Sequence, residues 1–333
     1  MGALKITGQS AAPTVTGSDG GTIYYDSTIK ALKFYDGTLW KGIESSRFLG
    51  GESISFKDAG GTDYILQIFR TSTSLIVGTT RTVDILVVGG GGSGGHSHGG
   101  GGGAGGLIWK TGHSLTANTY DVVIGAGGAA TTGTTNARGN NGVSTTLTIS
   151  GGSVVFTALG GGGGGFETTN PLDTGGSGGG AGYVATSGAY GDGVQPDDSG
   201  TGFGNDGGLG IGAANYNVGG GGGAGGVGET AVAAKSGDGG LGKDMSLLLG
   251  TGVGDKGFFA SGGGGGEITN GNALAGESHP GGGTRGSTED KQSEPGLPNT
   301  GGGSGGGASY PSPSYAELSG SGGSGIVIIR YAI

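Results

Sequence analysis

Tracts of nearly pure glycine recur along this chain, around residues 89–95, 99–106, 125–128, 160–165, 175–182, 207–212, 219–226, 262–266, 281–283, 301–307 and 320–325. They constrain its fold more than any other feature. Ordering the backbone costs about 1–2 kcal/mol per residue, and glycine loses the most freedom of all. The chain carries 94 glycines in 333 residues, against roughly 7% in ordinary domains. It must either leave the tracts disordered or pack them cooperatively. No strict Gly-X-Y period runs through it and only 8 prolines are present, so a collagen helix is excluded.

Two observations favour packing. Hydrophobic residues still make up 32% of the chain, and they gather into short runs. The formal charge of −9, with 12% charged residues, is too small to hold a chain swollen by self-repulsion. The runs "TDYILQIF", "TSLIVG", "TVDILVVG", "TYDVVIGAG" (119–127), "STTLTI" (144–149), "SVVFTALG" (153–160) and "GIVIIRY" (325–331) are rich in Val, Ile and Thr and bounded by Gly or Ser. Such runs read as strands of a sandwich. No helical periodicity of useful length is present, and "ETAVAAKSG" (229–237) could make one or two helical turns.

Glycine tracts between such strands can adopt the polyproline II backbone, with three residues per turn and no internal hydrogen bonds. Each N–H and C=O then points outward and must find a partner. Parallel or antiparallel neighbours of the same kind can supply it, provided no Cβ holds the chains apart. A six-residue tract such as 160–165 would span about 19 Å at ~3.1 Å per residue. The expected fold class is therefore all-β and irregular: a β-sandwich (jelly-roll-like) base carrying a polyglycine II helix bundle. Two domains are expected. Residues 1–47 form a small N-terminal β-hairpin module for attachment or oligomerisation, and 48–333 form the sandwich with its glycine-rich insertions. In the first, Asp36-Gly37 between "KFY" and "TLW" is a type I′ hairpin signal, and Tyr25, Phe34 and Trp40 can share one side of the sheet.

If each tract crosses the bundle once, counting crossings separates loops at the sandwich base from loops at the distal end. "DILVV" feeds the tract at 89, the chain turns at "HSH", and 99–106 returns into "LIWK". The count places 166–173, 213–218, 267–280 and 308–319 distally and 183–206, 229–260 and 287–300 at the base; the glycines within 183–206 could add a crossing. The distal candidates for recognition are His96, His98, Phe166, Glu167, Asn170, Asp173, Asn215, Tyr216, Asn217, Glu267, Asn270, Asn272, Tyr310 and Tyr315. Aromatic faces with amides and carboxylates suit sugars or the polar loops of a surface protein, and loops on a rigid scaffold commonly carry binding. The opposing reading is that they merely solvate the bundle's end. The apolar "MSLLLGTGVGDKGFFASG" (245–262) is expected to pack under the bundle or against a neighbouring subunit.

Catalytic and metal motifs are weak. His96 and His98 are spaced i, i+2 and could share a metal, but they read more simply as polar turn residues, and no metal or cofactor is expected. Gly-x-Ser-x-Gly matches at Ser93, Ser177 and Ser304 lie inside glycine tracts rather than at strand–helix junctions. Gly242-Lys243 is followed by Asp244, which breaks the phosphate-loop pattern. No enzyme is expected. An acidic chain without Lys/Arg clusters is a poor partner for nucleic acid or an anionic membrane. No apolar run reaches the roughly 18–20 residues needed for membrane insertion. Zero cysteines exclude disulfides, and "MGALKITGQSAAP" lacks the apolar core of a secretory signal.

The repeated glycine tracts across 89–325, with "LVVGGGG", "VIGAGGAA", "ALGGGGGG" and "GGSGIVIIRY", resemble the tip adhesins of T-even-like phage long tail fibres and glycine-rich virion proteins of marine phages. "GTIYYDSTIKALKFYDGTLW" looks like the small modules of tail-fibre proteins. A similar pairing of a jelly-roll-like sheet with glycine helices occurs in receptors resembling anaplastic lymphoma kinase, which bear disulfides that this chain lacks. The resemblance implies a virion tail-fibre or tail-tip protein, extracellular after release by lysis, adhering to a host-cell surface glycan or outer-membrane protein. Its partners would be other virion tail proteins, and it would be a homotrimer or a single-copy fibre cap. A structural fibre or decoration protein, or a cell-surface matrix protein with no specific receptor, is the alternative.

Overall fold

The structure is a computed structural model. It describes residues 48–58, 60–131, 137–166, 174–183, 190–196, 201–211, 216–266, 274–288, 291–308 and 318–333, together with the backbone of four N-terminal strands. Those strands, β1 (Gly8–Gln9), β2 (Ile23–Asp26), β3 (Ala31–Tyr35) and β4 (Trp40–Ile43), form one sheet in the order β1-β2-β3-β4. The expected hairpin is β3–β4. Its register pairs Tyr35 with Trp40, and the expected turn at Asp36-Gly37 lies outside the described residues. The same register places Trp40 opposite Tyr35 rather than Phe34. Tyr25 pairs with Leu32, and the side chains of Tyr25, Phe34 and Trp40 lie outside the described residues.

Two antiparallel sheets follow. The smaller contains β5 (Phe48–Leu49), β8 (Thr73–Val77), β11 (Asn118–Val123), β12 (Thr145–Ile149) and β13 (Val154–Ala158), ordered β13-β12-β11-β8-β5. The larger contains β6 (Glu52–Lys57), β7 (Asp63–Phe69), β9 (Arg81–Val88), β10 (Leu107–Leu115), β14 (Gly202–Phe203) and β17 (Ile326–Ala332), ordered β14-β10-β9-β17-β7-β6. Among the described residues neither sheet closes into a barrel, and the expected all-β sandwich stands.

Position in the sheet follows sequence pattern. The edge strand β6, "ESISFK", alternates exposed and half-buried residues. The central strands β9 and β17 read as continuous apolar runs because both faces of their sheet are covered. Along β17, Val327 and Ile329 face the smaller sheet and join Phe69, Ile85, Val87, Leu115, Tyr120 and Leu147. Their neighbours Ile326 and Ile328 point the other way, with Leu66, Ile68, Leu86, Val88 and Leu107.

That second face is covered by residues 245–260, which supply Met245, Leu249, Val253, Phe259 and Ala260. The apolar base segment therefore packs against its own chain. It carries the single helical turn among the described residues, α1 (Ser246–Leu249), and a two-stranded ribbon of β15 (Lys243–Asp244) and β16 (Phe258–Phe259). Arg330 on β17 pairs with Asp84 on β9 at 2.6 Å and donates to the Leu248 carbonyl at 2.8 Å, which ties the cover to the sheet. The segment 229–237 is not helical: Val232 and Lys235 bridge across a tight turn.

The glycine tracts stand on the end of this sandwich as a hydrogen-bonded lattice. Residues 99–106 lie at its centre, and all eight of their N–H groups donate to other tracts with a period of three. Gly100, Gly103 and Gly106 donate to Gly165, Gly162 and Leu159 at 2.8–2.9 Å. Gly101 and Ala104 donate to Gly219 and Gly222, while Gly99, Gly102 and Gly105 donate to Gly307, Ser304 and Gly301. Three further tracts donate inward: Gly89, Gly92 and Gly95 to Gly106, Gly103 and Gly100; Ser177 and Gly180 to Ala104 and Gly101; Gly263 and Gly266 to Gly102 and Gly99. One tract thus donates to three neighbours and accepts from three, the hexagonal packing of three-residue-per-turn polyglycine helices.

Close approach, rather than backbone conformation, makes glycine necessary here. A Cβ on Gly101 would stand 1.9 Å from the Gly263 oxygen and one on Gly100 2.2 Å from that of Gly180, yet neither has a positive φ. The serines within the tracts fit where neighbours leave room, and their hydroxyls substitute for lattice partners. Ser93 Oγ accepts from Asn140 N at 2.7 Å, and Ser304 Oγ accepts from Gly94 N at 3.0 Å and donates to the Gly320 carbonyl. All three serines of the Gly-x-Ser-x-Gly matches, Ser93, Ser177 and Ser304, are fully buried.

Candidate functional site

Strand and lattice directions locate the end of the bundle remote from the sheets. Residues 89–95 leave β9 and 99–106 return into β10, with Gly89 N bonded to Gly106 O at the base and Gly95 N to Gly100 O near the far end. His96, Ser97 and His98 therefore form a distal turn, as expected. The crossing count fails at the next tracts. Gly176, Gly162 and Gly165 bond to Gly160, Ser177 and Gly180, so 174–182 runs parallel to 160–165 and ascends instead of descending. Tyr183 consequently lies at the distal end, and 190–196 descend. The bonds Gly228 to Asp206 and Gly237 to Val218 make 227–231 and 236–242 a further ascending and descending pair. The segments 283–288 and 291–297 form another, turning at the Thr288–Lys291 bridge. Tyr216 remains distal, because Gly101 and Ala104 donate to Gly219 and Gly222 and the tract after Tyr216 therefore descends alongside 99–106.

Three rings meet at this end. His98 and Tyr183 have centroids 4.8 Å apart, His98 and Tyr216 5.8 Å, and Tyr183 and Tyr216 4.8 Å, tilted by 48°, 56° and 70°. Ser97, His98 and Tyr216 have φ of 23°, 52° and 55°, the left-handed region that glycine would occupy without cost. The His98 ring is part-buried, and desolvation lowers its pKa from 6.5 to about 4, so it is neutral at pH 7. Its buried Nδ1 has no hydrogen-bond partner among the described residues.

The other candidates separate into two groups. His96 and Asn217 are buried, at 1% and 0% exposure. Asn217 supports the bundle, its Nδ2 donating to the Val232 carbonyl at 2.6 Å. Phe166 is part-buried at the distal end of its tract. Glu167, Asn170, Asp173, Asn215, Glu267, Asn270, Asn272, Tyr310 and Tyr315 lie outside the described residues. Counting crossings missed Tyr183, because it treated 183–206 as base. The signal that finds it is the same as for His96 and His98, a bulky side chain immediately after a glycine tract.

Among the described residues no group of three or more His, Asp or Glu could hold a metal, and no helix is long and apolar enough to cross a membrane.

A model of the glycine-rich domain family matches residues 69–332, from the end of β7 to the last residue of β17. The chain belongs to the glycine-rich domain family. The matched region takes in the lattice and most strands of both sheets, so the glycine-rich domain is the sandwich and bundle together. The four N-terminal strands lie outside it. No curated protein matches this glycine-rich chain.

Proposed function

We propose that this chain is a virion tail-fibre or tail-tip protein that adheres to a host-cell surface receptor through the distal end of its glycine bundle. The observation that carries the reading is the six-coordinate lattice around 99–106, which holds His98, Tyr183 and Tyr216 together far from the sandwich. A lattice of backbone hydrogen bonds is stiff, so groups at its tip lose little entropy when a partner is bound. Within the glycine bundle, the rings of His98, Tyr183 and Tyr216 stand where glycine tracts end at the distal turns. A scaffold needing only length or bulk has no use for that placement. In this reading residues 1–47 attach the protein to other tail proteins or to its own copies, as a homotrimer or a single-copy cap. The receptor is a surface glycan or an outer-membrane protein.

The test is adsorption of the labelled full chain to a panel of bacterial strains, with and without exchange of the distal turns. Strain-selective adsorption that changes with the exchange supports adhesion. Uniform absence of adsorption across strains supporting the parent virus would favour a structural fibre or decoration role.

A further inference from the structure

The geometry points to the His98–Tyr183–Tyr216 cluster as a stacking site for a neutral saccharide. This inference rests on the adhesion reading and narrows it to one ligand class. Among the described residues six non-glycine residues have positive φ, and three of them, Ser97, His98 and Tyr216, lie at this one end of the bundle. A bulky side chain in the left-handed region costs on the order of 1–3 kcal/mol and persists where something outweighs it. In a chain with 94 glycines, the ring at these positions is a choice against the residue that fits the backbone best. The remaining three, Lys256, Ala260 and Asn299, lie near the sandwich, one of them a small alanine buried after β16 and one an asparagine that tolerates this conformation well.

The chemistry of the cluster selects the ligand. Tilts of 48°, 56° and 70° mean that the rings are not stacked flat on one another, and all three residues are half-buried rather than enclosed, so part of the cluster is open to an apolar surface. A pyranose offers such a surface in its axial C–H groups and surrounds it with hydroxyls. Tyrosine hydroxyls both donate and accept, and a neutral imidazole does the same through its two nitrogens. His98 Nδ1 is buried and has no partner among the described residues. Burial keeps the imidazole uncharged at neutral pH, so the ring supplies no cation for an acidic sugar or phosphate. Separately stacked, uncharged and two-sided in hydrogen bonding, the cluster fits a neutral pyranose better than an anionic one.

The experiment is binding of the full chain to an immobilised array of neutral and acidic glycans, with Tyr183→Ala, Tyr216→Gly and Tyr216→Phe alongside. Tyr216→Gly removes the ring while relieving the left-handed backbone, so its melting temperature should be at or above that of the parent. The expected result is binding to at least one neutral glycan, weakened about tenfold or more by Tyr183→Ala and Tyr216→Gly and retained by Tyr216→Phe, as for a buried aromatic anchor. Absence of any bound glycan, binding confined to acidic glycans, or binding unaffected by both ring deletions would overturn the site. Cell adsorption by the same proteins separates this from failure of the adhesion reading. Adsorption that survives both ring deletions removes the saccharide site alone, whereas no adsorption by the parent chain removes both.

Discussion

The sandwich and the glycine bundle stand end to end in one chain and are stabilised by opposite means. In the sandwich, side chains do the work: Leu86, Ile328 and Phe69 are fully buried, each worth about 1.5–3 kcal/mol through the apolar area removed from water. In the bundle the side chain is the obstacle. Backbone groups alone hold Gly99–Gly106 to six neighbours, and a single methyl group at most of these positions would lie within 2.4 Å of a neighbour's carbonyl oxygen. The difference shows that a tightly packed interior does not require apolar side chains. A cooperative lattice of satisfied N–H and C=O groups can replace them, provided a conventional core fixes where its strands begin and end.

That contrast is broken or sharpened by substitutions of graded severity. The largest effect is expected at the lattice centre. Gly101→Ala puts a Cβ 1.9 Å from the Gly263 oxygen, with backbone on both sides and no flexible side chain to yield. Its cost should exceed the ~1–3 kcal/mol typical of overpacking, and failure to recover folded protein is an acceptable outcome. Gly252→Ala is its control, because nothing lies within 4 Å of that Cβ and φ is not positive. It should change stability by no more than about 0.5 kcal/mol in denaturant unfolding. Equal effects at the two positions would refute the close-approach account.

Next in size, Ile328→Ala in the sandwich should cost about 2–5 kcal/mol, the usual range for emptying a buried aliphatic site. Ser304→Ala tests the hydroxyl that stands in for a lattice strand. It leaves Gly94 N and the Gly320 carbonyl without their partner and should cost roughly 1–3 kcal/mol, measured by the same unfolding curves.

The smallest effect is electrostatic. The folded protein holds the His98 pKa near 4, below its ordinary 6.5. The unfolded chain therefore binds a proton first, and the contribution of neutral His98 is full above about pH 6.5 and lost as the pH falls toward 4. Across this window the melting temperature of the parent should fall relative to that of His98→Asn as the pH drops. Parallel curves would mean that the ring is not desolvated at the tip.

Much of this arrangement was legible in the amino-acid pattern, and the exceptions have a physical cause. Central tracts such as 99–106 announce themselves because a helix surrounded on all sides has room for very few Cβ atoms, Ala104 being the one within that tract. The outer segments 227–231, 236–242, 283–288 and 291–297 have lattice neighbours on part of their circumference only. They carry Glu229, Thr230, Asp238, Thr284 and Gln292 and read as ordinary loops. Counting pure-glycine tracts therefore undercounted crossings, and it assigned Tyr183 to the wrong end because 160–165 and 174–182 run in the same direction rather than alternating. Strands β9 and β17 were plain from their unbroken Val/Ile runs. The Ala-rich 229–237 looked helical because helix propensity is local, whereas its N–H groups are claimed by lattice neighbours: Glu229 donates to Asp238 and Ala231 to Leu209. Of the distal cluster, His98 and Tyr216 could be found from their places in turns. Their left-handed backbone and their contact with Tyr183 depend on three crossings meeting at one end, which no local pattern encodes.

The central claim is that glycine here is core. Native-state amide hydrogen exchange measures it most directly, by comparing residues 99–106 with β17 under identical conditions. The lattice predicts protection of Gly100–Gly106 close to that of Ile326–Tyr331, since each of those N–H groups is buried and bonded and opens only with the fold as a whole. Exchange of Gly100–Gly106 at the rate of an unstructured peptide, while β17 stays protected, would contradict it and return the tracts to the status of tethers.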